Sequence, residues 1–230
     1  MKFVPKQLRE TADISRGDRS LHSFLLNTLS VLIVLGLLYF GLGLLADLTA
    51  EWLPERWEVR IFSKLPEGEP EDSPRFDRAS ALFDALLGTA ELRPLDYHLF
   101  LLELDQPNAV AIPGGGVGIT AELLEQVESE IGLATVLAHE LGHHQGRHNL
   151  KQLGRTLLLR SALALLFKGG GGSMAGISLT LAESSHSRHQ ETEADEFALR
   201  MVRDHFGHTE GSLEFFELIH EEYESDGGKW

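Results

Sequence analysis

Between residues 21 and 46 the chain carries no Asp, Glu, Lys or Arg, and from Phe24 onward it is almost continuously Leu, Val, Ile and Phe. Such a run predicts one apolar helix, long enough for the ~20 residues that cross ~30 Å of bilayer hydrocarbon. Residues 47–60 read as an amphipathic exit segment, and residues 65–74, rich in Pro, Gly and acid, as a linker. Beyond residue 75 the pattern breaks into shorter elements. It predicts a helix over 75–87, a strand over 95–104, and a strand, Pro-Gly turn and second strand over 108–120. A polar-faced helix over 121–130 follows, then an apolar-periodic helix over 133–153. Residues 156–182 are mostly apolar but are interrupted by Arg160, Lys168 and the run Gly169, Gly170, Gly171, Gly172. Four glycines end a helix and neither half reaches 18 apolar residues, so this stretch predicts a flap or a surface dipping into a membrane, not a second span. The organisation expected is a tail (1–20), a transmembrane helix (21–46), a linker (47–74) and one α+β domain (75–230), mostly helical with a small sheet.

Within the 133–153 helix lies His139-Glu140-Leu141-Gly142-His143. Residues four apart share a helix face, so both imidazoles can meet one metal ion while Glu140, one residue round, faces a water on it. That is the layout of a zinc hydrolase. The apolar lead-in, residues 131–138, places the motif inside a helix and separates it from two surface histidines on an amphipathic helix. Catalytic zinc takes three protein ligands and keeps one position open, so a third ligand must come from elsewhere. The segment 187–198 offers Glu191 as that ligand, and Asp195, four residues on, as acceptor of a ligand His ring N–H. Glu193 lies about 200° round from Glu191 at ~3.6 residues per turn and is expected to do little. Small Ala194 and Ala198 would let the two helices approach closely. Taken alone, 187–198 also reads as an ordinary acidic, solvated helix.

Three blocks, residues 108–120, 139–148 and 187–195, resemble metallopeptidase family forty-eight, the group of the CaaX prenyl endopeptidase, the bacterial heat-shock membrane protease and the mitochondrial stress-activated inner-membrane protease. The likeness spans about residues 80–205. It implies a zincin (gluzincin-like) fold with one Zn2+ per chain, held by His139, His143 and Glu191. It further implies Glu140 as general base, Asp195 as the partner behind His139, and residues 108–112 as an exposed edge strand that pairs with substrate backbone. Members of the family usually continue into a Thr-His-Pro segment and a closing helix, with no match before Trp230, so a truncated or minimal member is expected. The residue that steadies the oxyanion is therefore unassigned, with His205, His208 and His220 candidates by position only.

Composition narrows the partners. The absence of Cys excludes disulfides, thiolate-bound zinc and a thiol nucleophile. A net charge of −15 disfavours nucleic acid. Lys2, Lys6, Arg9, Arg16 and Arg19 precede the apolar run, and Arg56, Arg60 and Lys64 follow it, which favours a cytoplasmic N-terminus. The apolar core is too long for a cleaved signal peptide. The resulting expectation is a zinc metalloendopeptidase in a cell (inner) membrane. It would be single-pass, held in the lipid bilayer by residues 21–46, with its domain periplasmic or extracytoplasmic, and would act on envelope or membrane polypeptides in protein quality control. The alternatives are a membrane-tethered peptide-binding or chaperone module with a non-catalytic zinc site, and a prenyl-protein protease, which would need several spans.

Overall fold

The computed structural model describes residues 21–63, 73–104, 106–167 and 186–214. The tail before residue 21, most of the 65–74 linker, residues 168–182 of the expected flap, and His220 lie outside them.

Helix α1 (Leu21–Trp52) runs six residues past the expected end of the apolar stretch. Among the described residues it is the one helix long and apolar enough to cross a membrane. The chain divides into two compact units, residues 1–42 and 43–230. In the first, the apolar side chains of α1 are exposed. In the second, the end of α1 is docked: Ala46 and Ala50 are buried, Asp47 pairs with Arg155 and Glu51 with Lys151. Pro54 then breaks the chain, and α2 (Glu55–Phe62) begins.

The sheet has three short strands, β1 (His98–Leu101), β2 (Ala109–Ile112) and β3 (Gly116–Ile119), in the order β1-β3-β2. β3 is parallel to β1 and antiparallel to β2. The expected 95–104 strand is thus shorter, and the 108–120 hairpin forms as predicted. Its turn needs Gly114 and Gly115, whose φ angles of 104° and 120° lie where L side chains are strained. Alternation along the strands sends Leu101, Val117 and Ile119 into one core, with α3 (Pro74–Leu87), α4 (Ala121–Gln126), α5 (Glu130–Gly146) and α7 (Arg188–Phe206). Phe100, Val110 and Ile112 face a second core built with Ala50, Phe62, Leu150 and Leu153. β2 is an edge strand by order, yet not an exposed one, since Val110, Ala111 and Ile112 are buried. Its outward groups at Ala111 are occupied: the N–H bonds the Glu140 carboxylate and the carbonyl accepts from Asn149.

The single helix expected over 133–153 is two helices. α5 ends at Arg147, which adopts a left-handed conformation with φ of 53°, and α6 (His148–Phe167) starts anew. Periodicity could not reveal the break, because both halves are apolar and the stop is made by a tertiary contact. The buried Arg147 guanidinium donates to the Ala50 and Leu53 carbonyls and pairs with Glu55 and Glu58, so the chain turns where that side chain is anchored.

Candidate metal centre

α5 is buried almost all round, and its start is fixed by Ser129, whose hydroxyl accepts from the Gly132 N–H. α7 opens on a capping box in which Ser187 and Gln190 satisfy each other's backbone N–H groups, so Glu191 falls in its first turn. The two helices pack on each other through Gly142 and Ala194.

The Nε2 atoms of His139 and His143 lie 3.0 Å apart. Glu191 brings Oε2 to 3.4 Å from the first and Oε1 to 3.9 Å from the second. Glu140 is buried beside them, and its ligand atom with those of His139 and His143 falls within 4.8 Å of one another. Behind the cluster, His139 Nδ1 is 2.9 Å from Asp195 Oδ1. The structure therefore brings together all five residues singled out in the sequence. His205 instead bonds Thr89, remote from the cluster in its contacts.

Two neighbours, His148 and His186, were not read from the sequence, and Glu193, expected to do little, takes an unforeseen partner. His148 Nδ1 is 3.0 Å from His143 Nδ1, and its Nε2 is 3.2 Å from Glu193 Oε2. Glu193 leaves the donor cluster, as its position on the helix requires, but lands on His148 instead of in solvent alone. No helical spacing rule finds His148, since it reaches His143 only because the chain breaks at Arg147. His186 stacks on His143 with ring centroids 4.2 Å apart, and its buried Nδ1 has no hydrogen-bond partner. His143, His186 and Glu191 form a second set of donor atoms within 4.8 Å. The signal for His186 was its place just before the Ser187 cap.

The electrostatics are those of a site short of positive charge. Burial disfavours charge on His139, yet its hydrogen bond with Glu191 and the charges of Glu140, Glu191 and Asp195 raise its pKa from 6.5 to about 9. Glu191 is lowered, first by that same hydrogen bond. Burial raises Glu140, against the opposing pull of His139 and the Ala111 N–H. His143 is pushed down by burial and by the surrounding imidazoles. Without an ion, a proton on His139 answers the carboxylates; a divalent ion answers the same need with that proton released. Two imidazoles and a carboxylate, with acceptors at the backs of the rings, are a donor set that fits such an ion.

His144 belongs to the scaffold: its Nε2–H donates to the Gly116 carbonyl, tying α5 to β3, and burial lowers its pKa to about 4.

Residues 75–225 match peptidase family M48, and the chain belongs to that family, as the three blocks had implied. It is 30% identical over 135 residues to the mitochondrial metalloendopeptidase OMA1 of Schizosaccharomyces pombe, covering 54% of this chain and 37% of the relative. It is 28% identical over 137 residues to the beta-barrel assembly-enhancing protease of Yersinia pestis, covering 54% and 28%. Against the OMA1 of Saccharomyces cerevisiae it is 35% identical over 99 residues, 42% of this chain and 28% of the relative. The chain thus spans roughly a third of the length of these relatives.

Proposed function

We propose that this chain is a membrane-anchored, zincin-type zinc endopeptidase that cleaves envelope or membrane polypeptides, as a part of protein quality control. The observation that carries the reading is the meeting of the His139 and His143 Nε2 atoms with Glu191 beside the buried Glu140. The separations of 3.0 Å between the two Nε2 atoms and of 3.4 and 3.9 Å from them to Glu191 would let the three side chains converge on one ion. Held by His139, His143 and Glu191, zinc would supply Lewis acidity, polarising the scissile carbonyl and acidifying a water.

The chain's own groups do the rest. Glu140 takes the water proton and returns it to the leaving amine; its pKa, raised by burial, suits a carboxylate to that exchange. Asp195 accepts the Nδ1–H of His139 and so holds Nε2 unprotonated and aimed inward. Substrate backbone can add to β2 at Ala109, the outward-facing residue that Glu140 and Asn149 leave open. In this reading α1 anchors the domain in a membrane, supported by its length and apolarity, and the N-terminus is cytoplasmic, supported by the basic residues that precede the helix.

A second reading, a tethered peptide-binding module with a closed, structural zinc site, is favoured by one observation: His186 sits among the donors and would supply a fourth protein ligand. Glu140 favours the first reading, since a closed site has no use for a buried base beside its ligands. Casein cleavage by the purified full chain, abolished by a chelator and restored by zinc, is the expected result. Stoichiometric zinc with no cleavage would leave the structural reading, and cleavage indifferent to chelator would overturn both.

A further inference from the structure

We propose that His148 and Glu193 are positioning residues for the ligand His143, as Asp195 is for His139; the inference rests on the metal reading above. A His that binds a metal through Nε2 must carry its proton on Nδ1, and that N–H needs an acceptor. For His143 the group within reach is His148 Nδ1, at 3.0 Å. His148 can accept there only if its own proton is on Nε2, and that nitrogen is 3.2 Å from the Glu193 carboxylate. One carboxylate thus fixes the tautomers of two rings in series: Nε2–H of His148 donates to Glu193, Nδ1–H of His143 donates to His148, and the lone pair of His143 Nε2 faces the site. His189 lies near the other oxygen of Glu193, at 3.6 Å, which leaves Oε2 to His148.

A second, independent feature points the same way. The His148 ring lies where a Cβ on residue 146 would sit, touching that position with Nε2, Cδ2 and Cε1. Gly146 is therefore the residue that admits the ring, and the break at Arg147 is what turns His148 back over it. Burial of His148 is nearly complete, whereas the Glu193 side chain is half exposed, so Glu193 can be changed without opening a cavity.

The test is zinc affinity of the purified full chain, measured by competition with a chromophoric chelator, together with the visible spectrum of the cobalt-loaded protein and the melting temperature of the metal-free protein. Glu193→Ala should weaken zinc about tenfold and Gly146→Ala about 10–100-fold. Both should alter the cobalt spectrum; the metal-free melting temperature should hold in Glu193→Ala, whose side chain is half exposed, and fall in Gly146→Ala, whose Cβ meets the buried His148 ring. Glu193→Gln, which keeps an acceptor oxygen, should bind zinc like the parent. Parent-like zinc affinity and cobalt spectra in both Glu193→Ala and Gly146→Ala would overturn the inference and leave the metal reading intact. Failure of the unaltered chain to bind zinc or cobalt would overturn both.

Discussion

Gly142 and Ala194 are in contact with no room for a side chain between them: a Cβ on residue 142 would come within 2.9 Å of the Ala194 Cα and 3.0 Å of its carbonyl oxygen. The atoms met are backbone, so they cannot swing aside. Gly142 lies between Glu140 and His143, and Ala194 lies beside Asp195, so this contact sets the distance between the two halves of the donor set. Gly142→Ala should gain up to about 1 kcal/mol in helix propensity, yet overpacking should cost about 1–3 kcal/mol. The net expectation is a lower melting temperature with zinc affinity reduced more than stability, because α7 carries Glu191 outward. Calorimetry of the metal-free protein and a zinc titration measure the two effects separately; unchanged zinc affinity would show that α7 does not need this contact to deliver Glu191.

Glu140 and Glu191 are both carboxylates of one site, and they should fail differently. Glu140→Gln should retain stoichiometric zinc while proteolysis falls by several orders of magnitude, since the base is lost and no ligand is. Glu191→Ala should lose zinc and activity together. Asp195→Ala should weaken zinc about 10–100-fold by freeing the His139 ring. Metal analysis beside a cleavage assay separates the three, and full activity in Glu140→Gln would remove it from the mechanism.

The shared helix faces were legible because spacing along one helix is local: His139, Glu140 and His143 lie together by spacing alone, and so do Glu191 and Asp195 on a second helix. What stayed hidden was made by tertiary contacts. The break at Arg147 has no turn signature, since the residue is held left-handed by carbonyls and acids nearly a hundred positions earlier. His148 therefore sat on the wrong face of an imagined continuous helix, and Glu193 lost its partner with it. In the same way β2 was read as exposed, because a strand pattern shows alternation but not which neighbour covers its rim.

Arg147 should be worth testing by a double-mutant cycle. Its guanidinium and the Glu58 carboxylate are both buried, 3.5 Å apart, with Glu58 also accepting from the Gly114 N–H. Removing one partner of a buried pair strands the other, so Arg147→Ala should destabilise the fold by about 3 kcal/mol or more. Burial already raises the Glu58 pKa, so Glu58→Gln should cost less alone and should recover part of the loss in the Arg147→Ala background. Denaturant melts of the two single variants and the double variant give the coupling; strict additivity would mean that Arg147 acts through Glu55 and the Ala50 and Leu53 carbonyls and not through Glu58.

Tyr97 gives the fold an alkaline limit. Its ring meets His144 edge-on at 5.6 Å, and its buried hydroxyl has no hydrogen-bond partner. Burial, with the nearby Glu58 charge, pushes its pKa from 10.0 up to about 12. The sign follows from linkage: between pH 10 and 12 the unfolded chain has released this proton while the native protein still holds it, so unfolding is favoured as pH rises. The stability tied to the neutral phenol is thus whole below pH 10 and lost on the way through 12. Tyr97→Phe removes the ionisation while keeping the ring on His144. Its stability should therefore fall less steeply across that interval than the parent's, although lysines and the other tyrosines titrate in both. Ultraviolet titration should show one phenolate forming late in the folded parent and missing from Tyr97→Phe. Equal slopes for the two proteins between pH 10 and 12 would mean that Tyr97 is solvated and ionises in the folded state as it does in the unfolded one.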